Sequence, residues 1–304
     1  MRDRARHIGI IATLAVAALA FSGAHAGRAG GTAAMAAAAP ELSVAVPAEV
    51  KERGKLAVGV KCDYPPFGFI DESGKNAGYG IDIVRRMAFY AFGNPDAVEL
   101  QCVTGSNRVP YLTTKKIDLI VATMNYTPER AKIITFSEPY FESGVKLLVP
   151  KSSTITSERQ LAGKSVITIN GTTSSIWFTT CMPDVHQMLF KETSEALSAL
   201  LQGRGPAFAQ DDTLLANLAA KNPNLKVVGT AQASSPWGMG VRLGDTAMAD
   251  WVNASLREMQ KEDFFWTDFR KWVSDKSLQD QFSEFVPRPG HDLHYPKGSV
   301  MTCK

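Results

Sequence analysis

The stretch IDLIVATMNYTPER, residues 117–130, joins the uninterrupted apolar segment LIVA, residues 119–122, to a polar turn that contains an arginine. A continuously apolar segment of this kind is typical of a central parallel strand covered on both faces. Arg130 stays charged, and its planar set of donors fits a carboxylate. Arg130 is therefore either the partner of a nearby acid, Glu129 or Glu138, or a binding group for a carboxylate from outside. Its place after the strand favours the second interpretation.

Strand-like and helix-like segments alternate on both sides of this stretch. Residues 55–62 and 98–103 predict strands, and residues 79–93 predict the amphipathic helix between them. A second series of such segments follows residue 142. This βαβ alternation predicts an α/β fold with mostly parallel sheets flanked by helices, and its repetition predicts two lobes.

Several local features refine this prediction. Residues 63–78 are expected to form a loop, and residues 157–165 a helix that leads into a strand. A short helix is expected over residues 108–116, with Ser106 as its N-cap.

The first 26 residues have the pattern of a cleaved secretory signal peptide. Arginines precede an apolar run from Ile8 to Phe21, and Ala24 to Ala26 supply a small-residue cleavage site. The alternative, an uncleaved membrane anchor, is disfavoured because the run is shorter than a membrane span. Small, alanine-rich residues at 27–50 predict a flexible leader. We therefore expect a periplasmic protein.

The charge and the hydropathy pattern exclude other classes. The formal net charge is +3, and removal of the signal peptide, with three arginines and one aspartate, leaves about +1. No basic stripe suggests nucleic-acid binding, and no second apolar run of about 18 residues suggests a membrane span.

Four cysteines are present, and none has the C-x-x-C spacing of a zinc or redox site. We expect neither a metal nor another cofactor. In an oxidising compartment the four cysteines allow three pairings, among which the sequence alone does not choose. We favour Cys181–Cys303, which would fasten the tail, with Cys62–Cys102 as the second pair.

Polar side chains are concentrated where the predicted strands end. Ligands of open α/β sheets bind beyond the carboxyl ends of strands. This rule selects five segments: KCDYPPF (61–67), TGSNR (104–108), ATMNYTPER (122–130), INGTTSS (169–175) and AQDD (209–212).

These segments can form a site for an α-amino acid. Arg130 would bind the α-carboxylate with the help of Thr123 and Asn125. Asp211 or Asp212 would receive the ammonium group, although both are also suited to cap the helix that follows.

Two further cations indicate what side chain the ligand carries. Lys61 and Arg108 are excess positive charge if the ligand is zwitterionic, so together they predict a second carboxylate, as in glutamate or aspartate. Either could instead be a solvated surface cation. Tyr64 and Phe67 would form a wall along the ligand, although Phe67 suits lobe packing equally well. Thr172 and Thr173 would reach the α-carboxylate from the second lobe.

The chain resembles the extracellular solute-binding proteins of polar amino-acid ABC transporters, family 3, from about Val50 to Val273. The motifs that carry the resemblance are YPPFGF, GYGIDIV, TPERAKIITFSEPYFESG, LAGKSVITINGTTSS, GRGPAFAQDD and WGMGVR. The resemblance implies the two-lobed periplasmic-binding-protein fold of type II, with the ligand cleft between the lobes. It implies a first lobe of residues 51–141 and 241–285, a second lobe of residues 142–240, and a tail of residues 286–304.

The segments GVK, SNRVPYL and GRGPAFAQDDTLLANLAAKNP resemble the glutamate/aspartate-binding branch of that family. This resemblance implies the roles given above for Arg130, Asp211, Lys61 and Arg108. The chain departs from the family pattern at four positions, which leaves glutamine and asparagine as further candidate ligands. These positions are Gly80, Gly105, Asn125 and Ile169.

Three functions are compatible with this resemblance. The first is a monomeric binding protein that closes around its amino acid and delivers it to a membrane permease of an ABC importer. The second is an enzyme similar to periplasmic cyclohexadienyl dehydratase, for which Glu142, Asp212 and His186 are available without diagnostic spacing. The third is a sensor module for a separate receptor. We favour the first, a protein without catalytic residues.

Overall fold

The computed structural model describes residues 39–303, so the predicted signal peptide and the first part of the predicted leader lie outside it. The strands are β1 (Leu56–Val60), β2 (Asp63–Tyr64), β3 (Gly68–Ile70), β4 (Asn76–Ala77), β5 (Val98–Cys102), β6 (Leu119–Val121), β7 (Ile134–Pro150), β8 (Ser165–Ile169), β9 (His186–Phe190), β10 (Phe208–Asp211) and β11 (Leu225–Arg242). The helices are α1 (Ala48–Arg53), α2 (Tyr79–Phe92), α3 (Arg108–Thr113), α4 (Thr173–Cys181), α5 (Thr193–Leu201), α6 (Asp212–Lys221), α7 (Thr246–Lys261), α8 (Phe264–Trp272) and α9 (Lys276–Gln281). Among residues 39–303, no helix is long and apolar enough to cross a membrane.

Eight strands form one mixed sheet in the order β5-β1-β6-β11-β7-β10-β8-β9. Strand β1 is parallel to β5 and β6 at one end, and β8 is parallel to β9 and β10 at the other. We call the part of the structure around β5, β1 and β6 the first lobe, and the part around β10, β8 and β9 the second lobe. The α/β class predicted from the alternating segments is confirmed.

The two lobes share the long antiparallel strands β7 and β11. Their register pairs Ile134 with Arg242 beside the first lobe and Pro150 with Leu225 beside the second. Strand β10 pairs with the second half of β7, and β6 pairs with the end of β11. The register shifts repeatedly between Val228 and Gly240, so regular pairing is interrupted where the strands pass from one lobe to the other.

An aromatic cluster fills the core beneath this passage. Trp237 is fully buried, stacks on Phe141 at a ring distance of 4.9 Å, and meets Phe67 edge-on at 4.8 Å. Of the two interpretations of Phe67 from the sequence, a wall along the ligand and packing within a lobe, the structure agrees with the second. Edge-to-face and offset pairs of this kind stabilise a core beyond their area burial, and here they support the neighbouring Tyr64 from below.

Both favoured disulfides are present. Cys62–Cys102 joins the carboxyl ends of β1 and β5, and Cys181–Cys303 joins the end of α4 to the tail. The tail also packs on the first lobe through Tyr295, whose ring stacks on Tyr126 at 4.4 Å. The Tyr295 hydroxyl donates to the backbone carbonyl of Ser137 at 2.7 Å.

Several local predictions were wrong. The segment predicted as a loop at 63–78 contains β2, β3 and β4, which form a small sheet of their own. The helix predicted at 157–165 is only a 3-10 turn, Glu158–Leu161. Ser106 does not cap α3, because the N-cap is Asn107 and the Ser106 hydroxyl bonds that of Thr104 at 3.1 Å.

Candidate functional site

The five predicted segments meet at one cavity between the lobes. Its lining comes from both lobes and consists of Lys61, Tyr64, Gly105, Arg108, Thr123, Asn125, Ile169, Thr172, Thr173, Gln210 and Asp211. Eight of the candidate residues are among them. Phe67 is not, and Arg130 bonds to two of these lining residues. The cavity has a volume of about 20 Å³, which is room for one water molecule.

Arg130 is a buried cation that spans the cleft. Its Nη1 donates to the Asn125 carbonyl at 2.9 Å and to Thr173 Oγ1 at 3.1 Å, and its Nη2 donates to the Gly171 carbonyl at 3.2 Å. No carboxylate of residues 39–303 forms an ion pair with it. Glu138, one of the two acids considered from the sequence, pairs with Arg257 instead. Burial, and then the charge of Arg108, lower the pKa of Arg130 to about 9. A nearby carboxylate would offset both effects, because an opposite charge favours the charged form.

The contacts of Asn125 do not agree with the role suggested by the sequence, which was to donate to the α-carboxylate beside Arg130. Its Nδ2 donates to the carbonyls of Ser143 at 3.2 Å and Ser235 at 3.0 Å, and these residues lie on β7 and β11. An amide nitrogen has two hydrogens, so none is left for a ligand carboxylate. Asn125 instead holds together the two strands that connect the lobes.

Asp211 faces the cleft with one oxygen unused. Its Oδ2 accepts from the Tyr64 hydroxyl at 2.6 Å, while its buried Oδ1 has no hydrogen-bond partner among residues 39–303. Burial raises the pKa of Asp211 to about 7. Asp212 points elsewhere and accepts from the Ser143 hydroxyl at 2.9 Å. Asp211 holds the N-cap position of α6 without a side-chain capping bond, so its carboxylate is available to a cation.

Lys61 and Arg108 are buried rather than surface cations. Lys61 Nζ lies 2.7 Å from Asp63 Oδ1, so its charge already has a partner. Arg108 Nη1 donates to the Ala122 carbonyl at 2.6 Å, which fixes the guanidinium at the end of β6. Burial lowers the pKa of Arg108 to about 10. Among the described residues no salt bridge involves Arg108.

The two threonines have different surroundings. Thr172 is the N-cap of α4: its hydroxyl accepts from the Ser175 amide at 3.4 Å and donates to the Ile169 carbonyl at 2.6 Å. Thr173 Oγ1 donates to Asn125 Oδ1 at 3.0 Å across the cleft. Thr123 lines the cavity, and its amide donates to the Tyr140 hydroxyl at 3.2 Å.

Two polar side chains near the cavity were not selected from the sequence. Gln210 Oε1 accepts from the Asp211 amide at 3.0 Å, and its buried Nε2 has no hydrogen-bond partner in the described part of the chain. Neighbouring residues of a strand normally face opposite sides. If Asp211 faces the cavity, Gln210 is therefore expected to point away from it. The other is Asp63, whose segment was selected but whose side chain was not.

The chain belongs to the bacterial extracellular solute-binding proteins, family 3, which it matches over residues 56–275. It is 35% identical to the ABC transporter glutamine-binding protein of Bacillus subtilis over 75% of this chain and 84% of that protein. It is 28% identical to the L-glutamate/L-aspartate-binding protein of Pseudomonas aeruginosa over 82% and 83% of the two chains.

A solved structure with the same fold is that of the solute receptor for L-cysteine of Neisseria gonorrhoeae. The TM-score is 0.74 at 34% identity, and the match covers 77% of this chain and 95% of that one. The relatives thus differ in the ligand that their names state, and the similarity does not single out the glutamate/aspartate branch. Each of these three is named as a binding protein or receptor.

Proposed function

We propose that the protein is the periplasmic amino-acid-binding component of an ABC importer and that its ligands are glutamate and aspartate. The observation that carries this proposal is the charge of the cleft. Three buried cations, Lys61, Arg108 and Arg130, face two carboxylates, Asp63 and Asp211. A zwitterion leaves one positive charge uncompensated, whereas an acidic amino acid supplies the missing negative charge. Buried charges without partners are strongly disfavoured.

Each group of such a ligand has a binding group of the right kind. The α-carboxylate would bind Arg130, which already points at the second lobe through Thr173. The ammonium would bind the unused Oδ1 of Asp211. The side-chain carboxylate would bind Arg108, and Lys61 lines the same cavity.

Binding would require the lobes to separate and close again. A cavity of about 20 Å³ is too small for an amino acid, so a ligand would enter when the lobes part about β7 and β11. Its contacts with both lobes would then favour the closed form. In this form the protein would deliver its ligand to a separate membrane permease.

Glutamine is a second candidate ligand. The charge of Lys61 is matched by Asp63, and the free Nε2 of Gln210 suits an amide or carboxylate oxygen equally. Under this alternative Arg108 would donate to the side-chain carbonyl of glutamine. The similarity to a glutamine-binding protein also supports it.

Calorimetry of the ligand-free mature protein with glutamate, aspartate, glutamine and asparagine separates these candidates. We expect the acids to bind at least about tenfold tighter than their amides, or about 1.4 kcal/mol. Arg108→Met should remove this preference, because it deletes the charge and keeps an unbranched side chain. Arg257→Met, on the exposed Glu138 pair, is the matched control and should bind like the unaltered protein.

Equal binding of glutamate and glutamine would support the second candidate instead. If none of the four amino acids binds, the proposed ligand class is wrong.

A further inference from the structure

Asp63 connects the first lobe to the second through its two carboxylate oxygens. Oδ1 lies 2.7 Å from Lys61 Nζ, within the first lobe. Oδ2 accepts from the backbone amide of Thr193 at 2.6 Å, and Thr193 is the first residue of α5 in the second lobe. One side chain therefore touches both a cation that lines the cavity and an element that moves relative to it if the lobes separate.

The charges around Asp63 show that it is the ionised member of its group. Burial opposes ionisation, but Lys61, Glu192 and the Thr193 amide together lower the pKa of Asp63. Burial, and then the hydrogen bond with Asp63, raise the pKa of the adjacent Glu192 to about 7. Glu195 also lies in this turn, where it accepts from the amide of Glu192. Lys61 thus faces the ionised carboxylate of Asp63.

Lys61 depends on this carboxylate because it is buried. Its side chain is only 7% exposed, and that of Asp63 is 15% exposed. A buried ammonium without a counter-charge is strongly disfavoured, so Lys61 without Asp63 would draw a negative charge from the ligand. The presence of Asp63 weakens that demand.

We propose that Asp63 is a positioning residue that sets how strongly the cleft prefers an acidic over a neutral ligand side chain and that joins this choice to lobe closure. The inference rests on the proposed amino-acid-binding function. It goes beyond that function because Asp63 would act through Lys61 and α5 rather than by touching the ligand.

Two substitutions separate the two parts of this role. Asp63→Asn removes the charge and keeps an oxygen that can accept from Thr193. Asp63→Ala removes both the charge and the acceptor. Asp71→Asn is the matched control, because Asp71 is also an aspartate of the first lobe but bonds only within its own exposed turn, to Ser73 and Lys75.

The measurement is calorimetry with glutamate and glutamine for each variant. We expect the ratio of the glutamine Kd to the glutamate Kd to rise at least tenfold in both Asp63 variants. Asp63→Ala should also bind both ligands at least tenfold more weakly than Asp63→Asn, because it lacks the contact with α5. The control should change neither quantity.

An unchanged ratio in Asp63→Asn would overturn the charge-setting role, because a merely structural residue would weaken both ligands equally. Equal affinities of the Asn and Ala variants would overturn the closure role. If the unaltered protein binds neither ligand, the proposed function fails first. Hydrogen exchange of the Thr193 amide without ligand then still tests the α5 contact, since equal rates in the unaltered protein and Asp63→Ala would contradict it.

Discussion

At the scale of single residues, the state of Asp211 decides when the cleft can hold an ammonium group. Its Oδ2 accepts a hydrogen bond from Tyr64, and its buried Oδ1 has no partner among the described residues. Because burial raises its pKa to about 7, a large fraction of the molecules carries a neutral Asp211 at pH 7. An ammonium ligand stabilises the ionised form, so binding below pH 7 releases a proton.

We therefore expect affinity to depend on pH in one direction. The Kd for glutamate should rise about tenfold for each pH unit below 7, or about 1.36 kcal/mol, and should level off above pH 7. Calorimetry between pH 5.5 and 8.5 measures this slope. In Asp211→Asn binding should be weak, and the slope due to Asp211 should disappear. Any slope left in that variant belongs to other groups, of which Glu192 is one.

The position of the candidate residues was predictable because it follows from local order along the chain. Arg130 lies in the loop that follows β6, and Asp211 is the last residue of β10. Ligands of open α/β sheets bind beyond the carboxyl ends of strands. The role of Asn125 was not predictable in this way. Its donors bind the carbonyls of Ser143 and Ser235, which come from two strands far apart in sequence. These hydrogen bonds become visible only in the folded structure, where the two strands lie beside Asn125.

At the scale of elements, α2 and α8 are joined by a pair of acids. Asp82 of α2 accepts from the indole of Trp272 at 2.8 Å and also pairs with Lys271. Asp268 of α8 has a buried Oδ2 that forms no hydrogen bond with any residue the structure describes. Burial, and then the neighbouring Asp82, raise the pKa of Asp268 from 3.8 to about 9. The folded form therefore keeps Asp268 protonated at neutral pH.

This pair makes stability depend on pH. A folded pKa above the unfolded value means that the contribution of Asp268 is fully present below about pH 4 and is lost as pH rises to about 9. Asp268→Asn carries a neutral group at every pH. We expect it to raise the free energy of unfolding at pH 8 by at least about 1.4 kcal/mol, one pKa unit, and to change it little at pH 4.

Thermal unfolding from pH 4 to pH 9 measures this effect. Asp280→Asn, on the exposed side of α9, is the control and should leave the profile unchanged. A stability profile of Asp268→Asn that runs parallel to that of the unaltered protein would show that Asp268 does not carry the proton.

The helices were more predictable than the long strands. Helices α2, α7 and α8 follow from an apolar period that is visible within each segment. The middle of β11, GTAQASSP at 229–236, is small and polar and has no strand pattern of its own. It is extended because β7 lies beside it, so its structure comes from tertiary pairing rather than from local sequence.

At the scale of the whole molecule, the backbones of the two lobes meet at two glycines. A Cβ on Gly105 of the first lobe would lie 2.6 Å from the carbonyl oxygen of Asn170 in the second. A Cβ on Gly171 would lie 2.7 Å from the backbone of Gly105. Close approach of two backbones is a common reason for glycine, so this contact limits how far the lobes close.

Gly105→Ala should therefore separate closure from folding. We expect its affinity for the ligand to fall at least about tenfold, since 1.4 kcal/mol of clash is sufficient, while the melting temperature without ligand stays nearly constant. Calorimetry and thermal unfolding measure the two quantities. Gly298→Ala is the control, because a Cβ there meets nothing within 4 Å. Unchanged affinity in Gly105→Ala would show that the closed contact is not required for binding.

The number of lobes was predictable from the repeated βαβ series, but the path of the tail was not. The sequence indicated a bond between Cys181 and Cys303 without indicating that the tail packs on the first lobe on its way. That route depends on Tyr126 and Tyr295, two aromatic residues far apart in sequence, stacking on each other.

This path makes the tail a tether of fixed contour length between the lobes. Eight peptide units run from Tyr295 on the first lobe to Cys303, which is bonded to α4 of the second. A chain of this length spans at most roughly 26–29 Å when fully extended. While Tyr295 stays packed on Tyr126, the widest opening on this side of the molecule is bounded by the number of residues between the two anchors. Insertions or deletions within residues 296–302 would lengthen or shorten that arc without altering any residue of the cleft.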